Sequence, residues 1–278
     1  MLDINKLGKQ GFVSVRYPNT LRACVEEAMS SWQNFCELSD DRKRAFSGGD
    51  RIKDFGYMRR QDAGDRADNK ELFHASLANM EVLGEKAQAM GDSRATAFIH
   101  AVDALIHEIK PLIINFVASI EKTYGIAGLE KRVLSGVKGW TFRYLHYFPE
   151  EGEMLANAHA DRGDMTLHLY ESHDGGEYLD FNNVWKPWPV SQERAIIFPA
   201  MGLQYESAGR LKALWHRIVT TEETRKVGRF AMVAFIDFNQ EHSWDSSKHR
   251  IQNLDQGFNY LMPFPELERF FAPNKLQM

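Results

Sequence analysis

The chain has 278 residues, 44% of them hydrophobic and 26% charged, with a formal net charge of −4. That balance belongs to a globular protein with enough chain to bury a core unaided. It excludes the basic stripe that electrostatic nucleic-acid binding requires, and no apolar run approaches the ~18 residues that span a bilayer. The two cysteines, Cys24 and Cys36, make neither a disulfide framework nor a zinc-finger pattern and read as free thiols. The opening MLDINKLGKQGF lacks the apolar segment of a signal peptide. A cytoplasmic protein with no nucleic-acid or membrane partner is expected.

In chain order, residues 20–37 place Leu21, Cys24, Val25, Ala28, Trp32, Phe35 and Cys36 at helical intervals. The stretch 38–90 is polar and broken by glycines, which predicts loops with one short helix. A second long helix fits 94–124, with Pro111 as a candidate kink or break. From Val137 the pattern turns to short aromatic and β-branched runs: 139–148, 165–171, 177–182, 194–198, 203–207, 213–220 and 229–238. Gly175-Gly176 and Gly209 mark hairpin turns between them, and Pro263 and Pro265 argue against a helix in the tail. Many short strands at close spacing predict a sandwich or barrel, with the helical first half packed outside it as one domain.

Within AHADRGDMTLHLY, residues 158–170, His159 and Asp161 are separated by one position. On an extended backbone both side chains leave from the same side. An imidazole and a carboxylate presented together are two ligands of a 2-His-1-carboxylate facial triad on iron(II). A strand-like WHRIVTT offers His216 as the third. The same His₂Asp set suits a tetrahedral zinc hydrolase, and a bare His-x-Asp is often a turn motif bonded to backbone.

YLHYFP (144–149), HADRGDMTL (159–167), AGRLKA (208–213), HRIV (216–219) and RFAMVAF (229–235) follow one another in order. That series resembles the isopenicillin-N-synthase-like 2-oxoglutarate/Fe(II) dioxygenases, which carry H-x-D-x-G-x-x-T-L, a distal His-Arg-Val and then R-x-S. GFVSVRYP, DDRKRAF, DFGYMRR and NKELFHAS in the first half are similar to the family's N-terminal elements. The resemblance covers about residues 10–240 and implies an α+β fold with a double-stranded β-helix (jelly-roll) core about 137–240. The helix-rich part is about 1–136, and a tail about 241–278 covers the core.

The resemblance implies that His159, Asp161 and His216 are the catalytic iron ligands. Arg229 then anchors the distal carboxylate of 2-oxoglutarate, since a guanidinium forks onto a carboxylate bidentately. The alternative anchor, Arg225, sits in a polar turn. Two departures stand out. Ala231 replaces the family's serine, removing a hydrogen bond to the cosubstrate worth ~1 kcal/mol, and the family's N-Y-Y-P reads here as His146, Tyr147, Phe148 and Pro149. His146 is expected either to reach the cosubstrate or to be a bonded strand histidine, whereas Phe148 has no donor. Arg162 is a candidate substrate anchor as well as a solvated loop residue. His168, Trp185, Trp188 and Trp215 read as packing.

The function so implied uses Fe(II), 2-oxoglutarate and O₂, with ascorbate as a reductant. An unactivated C–H bond of a small molecule is hydroxylated, desaturated or cyclised, with release of succinate and CO₂. Ala231 and Phe148 leave open an iron oxidase of the same fold that uses no 2-oxoglutarate. A non-catalytic ligand-binding protein on this scaffold is the third alternative, one with no chemical need for all three ligands.

Overall fold

A computed structural model describes residues 3–48, 55–60, 69–149, 151–161 and 163–238, plus the backbone of two strands at 250–253 and 258–263. Helix α1 (Asn5–Gln10) and strand β1 (Val13–Arg16) precede α2 (Asn19–Cys36) and the short α3 (Asp40–Arg44). The glycine-broken stretch holds β2 (Gly56–Arg60), β3 (Lys70–Ala75) and α4 (Met80–Met90). It therefore contains two sheet strands where loops were expected. Their long separation hid the pairing, since β2 and β3 find each other only as neighbours within a sheet.

Helix α5 (Ser93–Tyr124) follows, capped by the Asp92 side chain and closed by left-handed Gly125. Pro111 does not divide it. Its apolar face, including Phe98, Val102, Leu105, Ile109 and Ile113, is buried with Trp32 and Phe35 of α2 in one continuous core. Helix α6 (Leu129–Gly136) and a 3₁₀ turn lead to β4 (Thr141–Tyr147).

The remaining strands are β5 (Met154–His159), β6 (Met165–Glu171), β7 (Gly176–Leu179), β8 (Trp185–Pro187), β9 (Arg194–Pro199), β10 (His216–Val219) and β11 (Arg229–Ile236). A strand was expected at 203–207, but Met201–Glu206 is helix α7. There the chain leaves β9 and turns, and Leu203 is buried from a helix instead of a sheet face. Helix α8 (Glu222–Val227) fills the long connection before Arg229, held by a Thr221–Thr224 capping box. The tail expected to cover the core falls mostly outside the described residues; within it, β12 (Arg250–Asn253) and β13 (Phe258–Pro263) form a hairpin.

Seven strands form one antiparallel sheet in the order β1-β9-β6-β11-β4-β3-β2, and four form a second, β5-β10-β7-β8. Strand alternation gives the large sheet two apolar faces. Phe142, Tyr144, Leu167, Leu169, Met232 and Ala234 point toward α2 and α5. Leu72, Leu145, Tyr147, Ile196, Phe198, Ala231 and Val233 point the other way and pack with Leu155 and Ile218 of the small sheet and with Trp188, just past β8. This is the jelly-roll architecture, with helices covering one side. Among the described residues, no helix is long and apolar enough to cross a membrane.

A buried polar knot ties the N-terminal region to this sheet. Glu71 of β3 is 1% exposed and accepts from Lys43 of α3 at 2.7 Å and from Tyr57 of β2 at 2.9 Å. His146 Nδ1 of β4 lies 2.8 Å from its other oxygen. Burial alone would raise the carboxyl's pKa, but the hydrogen bonds of His146, Lys43 and Tyr57 and the charge of Lys43 hold it at about 2. The stabilisation is complete above the ordinary value of 4.5 and is lost as pH falls toward 2. Glu71→Gln, which leaves Lys43 buried without this counterion, is expected to destabilise by roughly 3 kcal/mol at neutral pH. The deficit in urea denaturation should shrink as the pH is lowered from 5 to 2; a deficit independent of pH would contradict an ionised Glu71.

Candidate metal centre

Antiparallel pairing sets His216 at the start of β10 directly opposite His159 at the end of β5. Residues so paired have Cβ atoms about 4.5–5.5 Å apart, and the two ring centroids lie 4.3 Å apart. Asp161, two positions beyond His159, turns its carboxylate to the same side. Its Oδ1 is 3.7 Å from His159 Nε2 and its Oδ2 is 3.9 Å from His216 Nε2. All three ligand atoms lie within 4.8 Å of one another. Facial ligands each ~2.1 Å from one ion are about 3.0 Å apart, so the three side chains would close by about 1 Å or more to complete the set.

The protonation of both rings is fixed from behind. His159 Nδ1 lies 2.7 Å from the carbonyl of Asn157, and His216 Nδ1 lies 3.0 Å from that of Leu214. A carbonyl only accepts, so each Nδ1 carries the proton and each Nε2 presents a lone pair to the centre. Desolvation, then repulsion between the two rings if both were protonated, lowers the His159 pKa to about 4 against the pull of Asp161, although the side chain is 38% exposed. The imidazole is therefore neutral and ready to ligate at physiological pH. Thr166 of β6 donates to Asp161 Oδ2 at 2.7 Å. Burial opposes ionisation of Asp161, but His216, His159 and Thr166 together lower its pKa.

The loop carrying Asp161 is clamped to the β9–α7 junction. Met201 N–H donates to the Asp161 carbonyl at 2.9 Å, Gly202 N–H to Gly163 at 2.8 Å and Ala200 N–H to Asp164 at 3.0 Å. A Cβ at Gly202 would fall 2.3 Å from Asp164 Oδ1 and 2.9 Å from the Gly163 carbonyl, so only glycine permits this approach. The segment feeding His216 is pinned as well, by Ala213 N–H to Gln204 Oε1 at 2.7 Å and Leu214 N–H to the Pro199 carbonyl at 3.1 Å.

Arg229 opens β11 and shares its inward face with Ala231 and Val233, the side of the sheet that faces β5 and β10. It is fully buried. Its Nε donates to the His173 carbonyl at 3.3 Å, while Nη1 and Nη2 have no well-aligned acceptor among the described residues. Orphaned guanidinium donors inside the barrel fit a carboxylate ligand. Arg225, by contrast, is exposed on α8.

One carboxylate already touches Arg229. Pairing between β6 and β11 shifts by one residue between Val233↔His168 and Met232↔Tyr170, leaving Leu169 as a bulge. The bulge turns Glu171 to the same inward face as His168. There Glu171 Oε1 forms an ion pair with Arg229 Nη2, lies 2.9 Å from His168 Nε2 and accepts from Trp188 Nε1 at 2.5 Å. Burial works against its ionisation, but Arg229 and His168 outweigh it and keep the pKa low. The indole of Trp188 also lies 5.6 Å from the His216 ring, so it spans the interval between the metal ligands and the Arg229 pair.

His146 is not in this interior. It points to the helix-covered face, where it contacts Glu71 and stacks on Phe230 at 4.1 Å. The expectation that it reaches a cosubstrate is corrected by strand parity: Leu145 and Tyr147 face inward, and His146 and Phe148 do not. Tyr147, whose ring centroid lies 5.9 Å from the Arg229 guanidinium carbon, is the inward aromatic that the motif comparison missed. Arg143, on the same inward face, donates from Nε to His74 at 2.6 Å, and its charge contributes to lowering the Asp161 pKa. Neither Arg143 nor His74 carries a sequence signal beyond its place in a strand. Arg162 lies outside the described residues.

No family profile matches the chain. A 2-oxoglutarate-dependent dioxygenase from Didymella fabae is 29% identical over 108 residues, which are 36% of this chain and 32% of that protein. The match thus spans about a third of that relative's length. Among solved structures, a 2OG-Fe(II) oxygenase family protein from Caulobacter crescentus superposes with a TM-score of 0.67 at 22% identity, covering 84% of this chain and 80% of the other. A full-length Neurospora crassa protein in complex with alpha-KG superposes with a TM-score of 0.69 at 17% identity, covering 84% and 77%. The fold is that of the 2-oxoglutarate oxygenases.

Titrated with iron(II) without oxygen, His159→Ala and His216→Ala should each bind at least about tenfold more weakly than wild type, since each loses one of three ligands. Unchanged affinity in both would remove the triad as the metal centre. Separately, burial raises the Asp164 pKa from 3.8 to about 7, helped by the charges of Glu206 and Asp237. A group shifted upward stabilises fully below its unfolded value, and that contribution is lost as pH rises through 7. Asp164→Asn should match wild type at pH 4 and exceed it by up to about 4 kcal/mol above pH 7, as read by thermal melting.

Proposed function

We propose that this chain is an iron(II)- and 2-oxoglutarate-dependent oxygenase acting on a small molecule. The observation that carries the reading is the convergence of His159, Asp161 and His216, with both Nδ1 atoms tied back, in a barrel interior that also buries the guanidinium of Arg229. The centre would be held by the Nε2 atoms of the two histidines and a carboxylate oxygen of Asp161. Bound there, iron(II) with O₂ and 2-oxoglutarate would supply the power to oxidise an unactivated C–H bond, with release of succinate and CO₂.

The chain's own residues do the rest. Thr166 keeps Asp161 oriented and ionised, and the two carbonyl contacts keep the imidazoles in the ligating tautomer. Arg229, buried on the inward face beside Ala231, takes the distal carboxylate. Leu145, Leu155, Phe198 and Ile218 make the surroundings apolar, which excludes water and strengthens each electrostatic contact.

A second reading, an iron oxidase without 2-oxoglutarate, draws on the Glu171–Arg229 pair and on Ala231. Against a non-catalytic binding role stands the complete ligand set. Incubation with iron(II), ascorbate, O₂ and 2-oxoglutarate should release succinate and CO₂ even without the true substrate, and His216→Ala should reduce that release by at least about a hundredfold. Full iron binding with no cosubstrate turnover would favour the oxidase.

A further inference from the structure

Arg229 and Glu171 form a pair that is buried but poorly made. The Glu171 side chain is 6% exposed and the Arg229 side chain 0%. A carboxylate that satisfies an arginine uses both oxygens in a parallel fork. Glu171 instead approaches through Oε1, the oxygen already bonded to Trp188 Nε1 and adjacent to His168 Nε2. Arg229 Nη1 and Nη2 remain without well-aligned acceptors among the described residues. The guanidinium is thus neutralised in charge and only partly satisfied in hydrogen bonding, its Nε donating to the His173 carbonyl.

A second carboxylate reaching Arg229 would improve the hydrogen bonding and meet Glu171 at short range. Two carboxylates in a dry site repel strongly, and one positive charge does not balance both. A 2-oxo acid without a distal carboxylate meets neither effect. Resting on the reading of this pocket as a 2-oxo-acid site, we propose that Glu171 is a resident counterion of Arg229 that competes with the distal carboxylate of 2-oxoglutarate. Glu171 thereby sets how far the site discriminates dicarboxylic from monocarboxylic 2-oxo acids. It is held inward by the Leu169 bulge and by Trp188, so it is a built feature of the fold and not a surface side chain that swings in.

The test is calorimetric binding of 2-oxoglutarate and of pyruvate to the iron(II)-loaded protein without oxygen, in wild type and Glu171→Gln. The glutamine keeps a carbonyl oxygen for Trp188 and removes the charge. The variant is expected to bind 2-oxoglutarate about tenfold tighter or better, with pyruvate affinity changed by less than about twofold. Unchanged or weaker 2-oxoglutarate binding with pyruvate unaffected would overturn the competition. Weaker binding of both acids would assign Glu171 a structural role and overturn it as well. If wild type holds iron but binds neither acid, the variant decides between the competition and the cosubstrate reading. A Glu171→Gln protein that then gains 2-oxoglutarate still supports the competition, and one that gains nothing ends both.

Discussion

The pairing of β5 with β10 places two histidines from distant parts of the chain face to face, and the rest of the site is arranged around that contact. Sheet geometry sets their separation and brings the two rings together. Asp161 then needs only the extended step beyond His159 and the clamp at Gly202 to complete the set. Backbone carbonyls hold the Nδ1 side of both rings, and Thr166 holds the carboxylate. Each ligand is thereby oriented by an element whose own position is set by hydrogen bonding.

The large sheet separates two chemistries. Its helix-covered face carries the main apolar core and the Lys43–Glu71–Tyr57–His146 knot, which stabilises the attachment of the N-terminal region. Its other face looks onto the small sheet and carries Arg229, Glu171 and Tyr147 among apolar side chains. Among the described residues, the charges of Arg229 and Glu171 on this second face are deeply buried and mutually dependent. Arg229 holds the Glu171 carboxyl ionised in spite of its burial, so the two charges are interdependent.

Much of this was legible from residue pattern. His159, Asp161 and His216 stand in motifs whose order carries their meaning, and the alternation of RFAMVAF correctly puts Arg229 and Ala231 on one face. Long helices with strong periodicity, α2 and α5, were readable to within a residue or two. What failed did so for identifiable reasons. The motif leaves His146 open between a cosubstrate contact and a bonded strand histidine, and strand parity puts it on the helix-covered face against Glu71. Glu171 escaped notice because a bulge, invisible in a two-residue period, rotates it inward. LQYES alternates like a strand but follows a chain reversal and closes as α7. The strands β2 and β3 are separated by residues that conceal a sheet pairing.

The function of the site depends on one ion binding between His159, Asp161 and His216. Another cluster, Cys36, Glu71 and His146, also gathers possible ligands, but Lys43 and Tyr57 already occupy its carboxylate. Anomalous diffraction from crystals grown with iron(II) without oxygen would locate the metal directly. A single strong peak is expected about 2.0–2.2 Å from both Nε2 atoms and an Asp161 oxygen. A peak at the Cys36 cluster, or an empty triad at saturating iron, would refute the assignment.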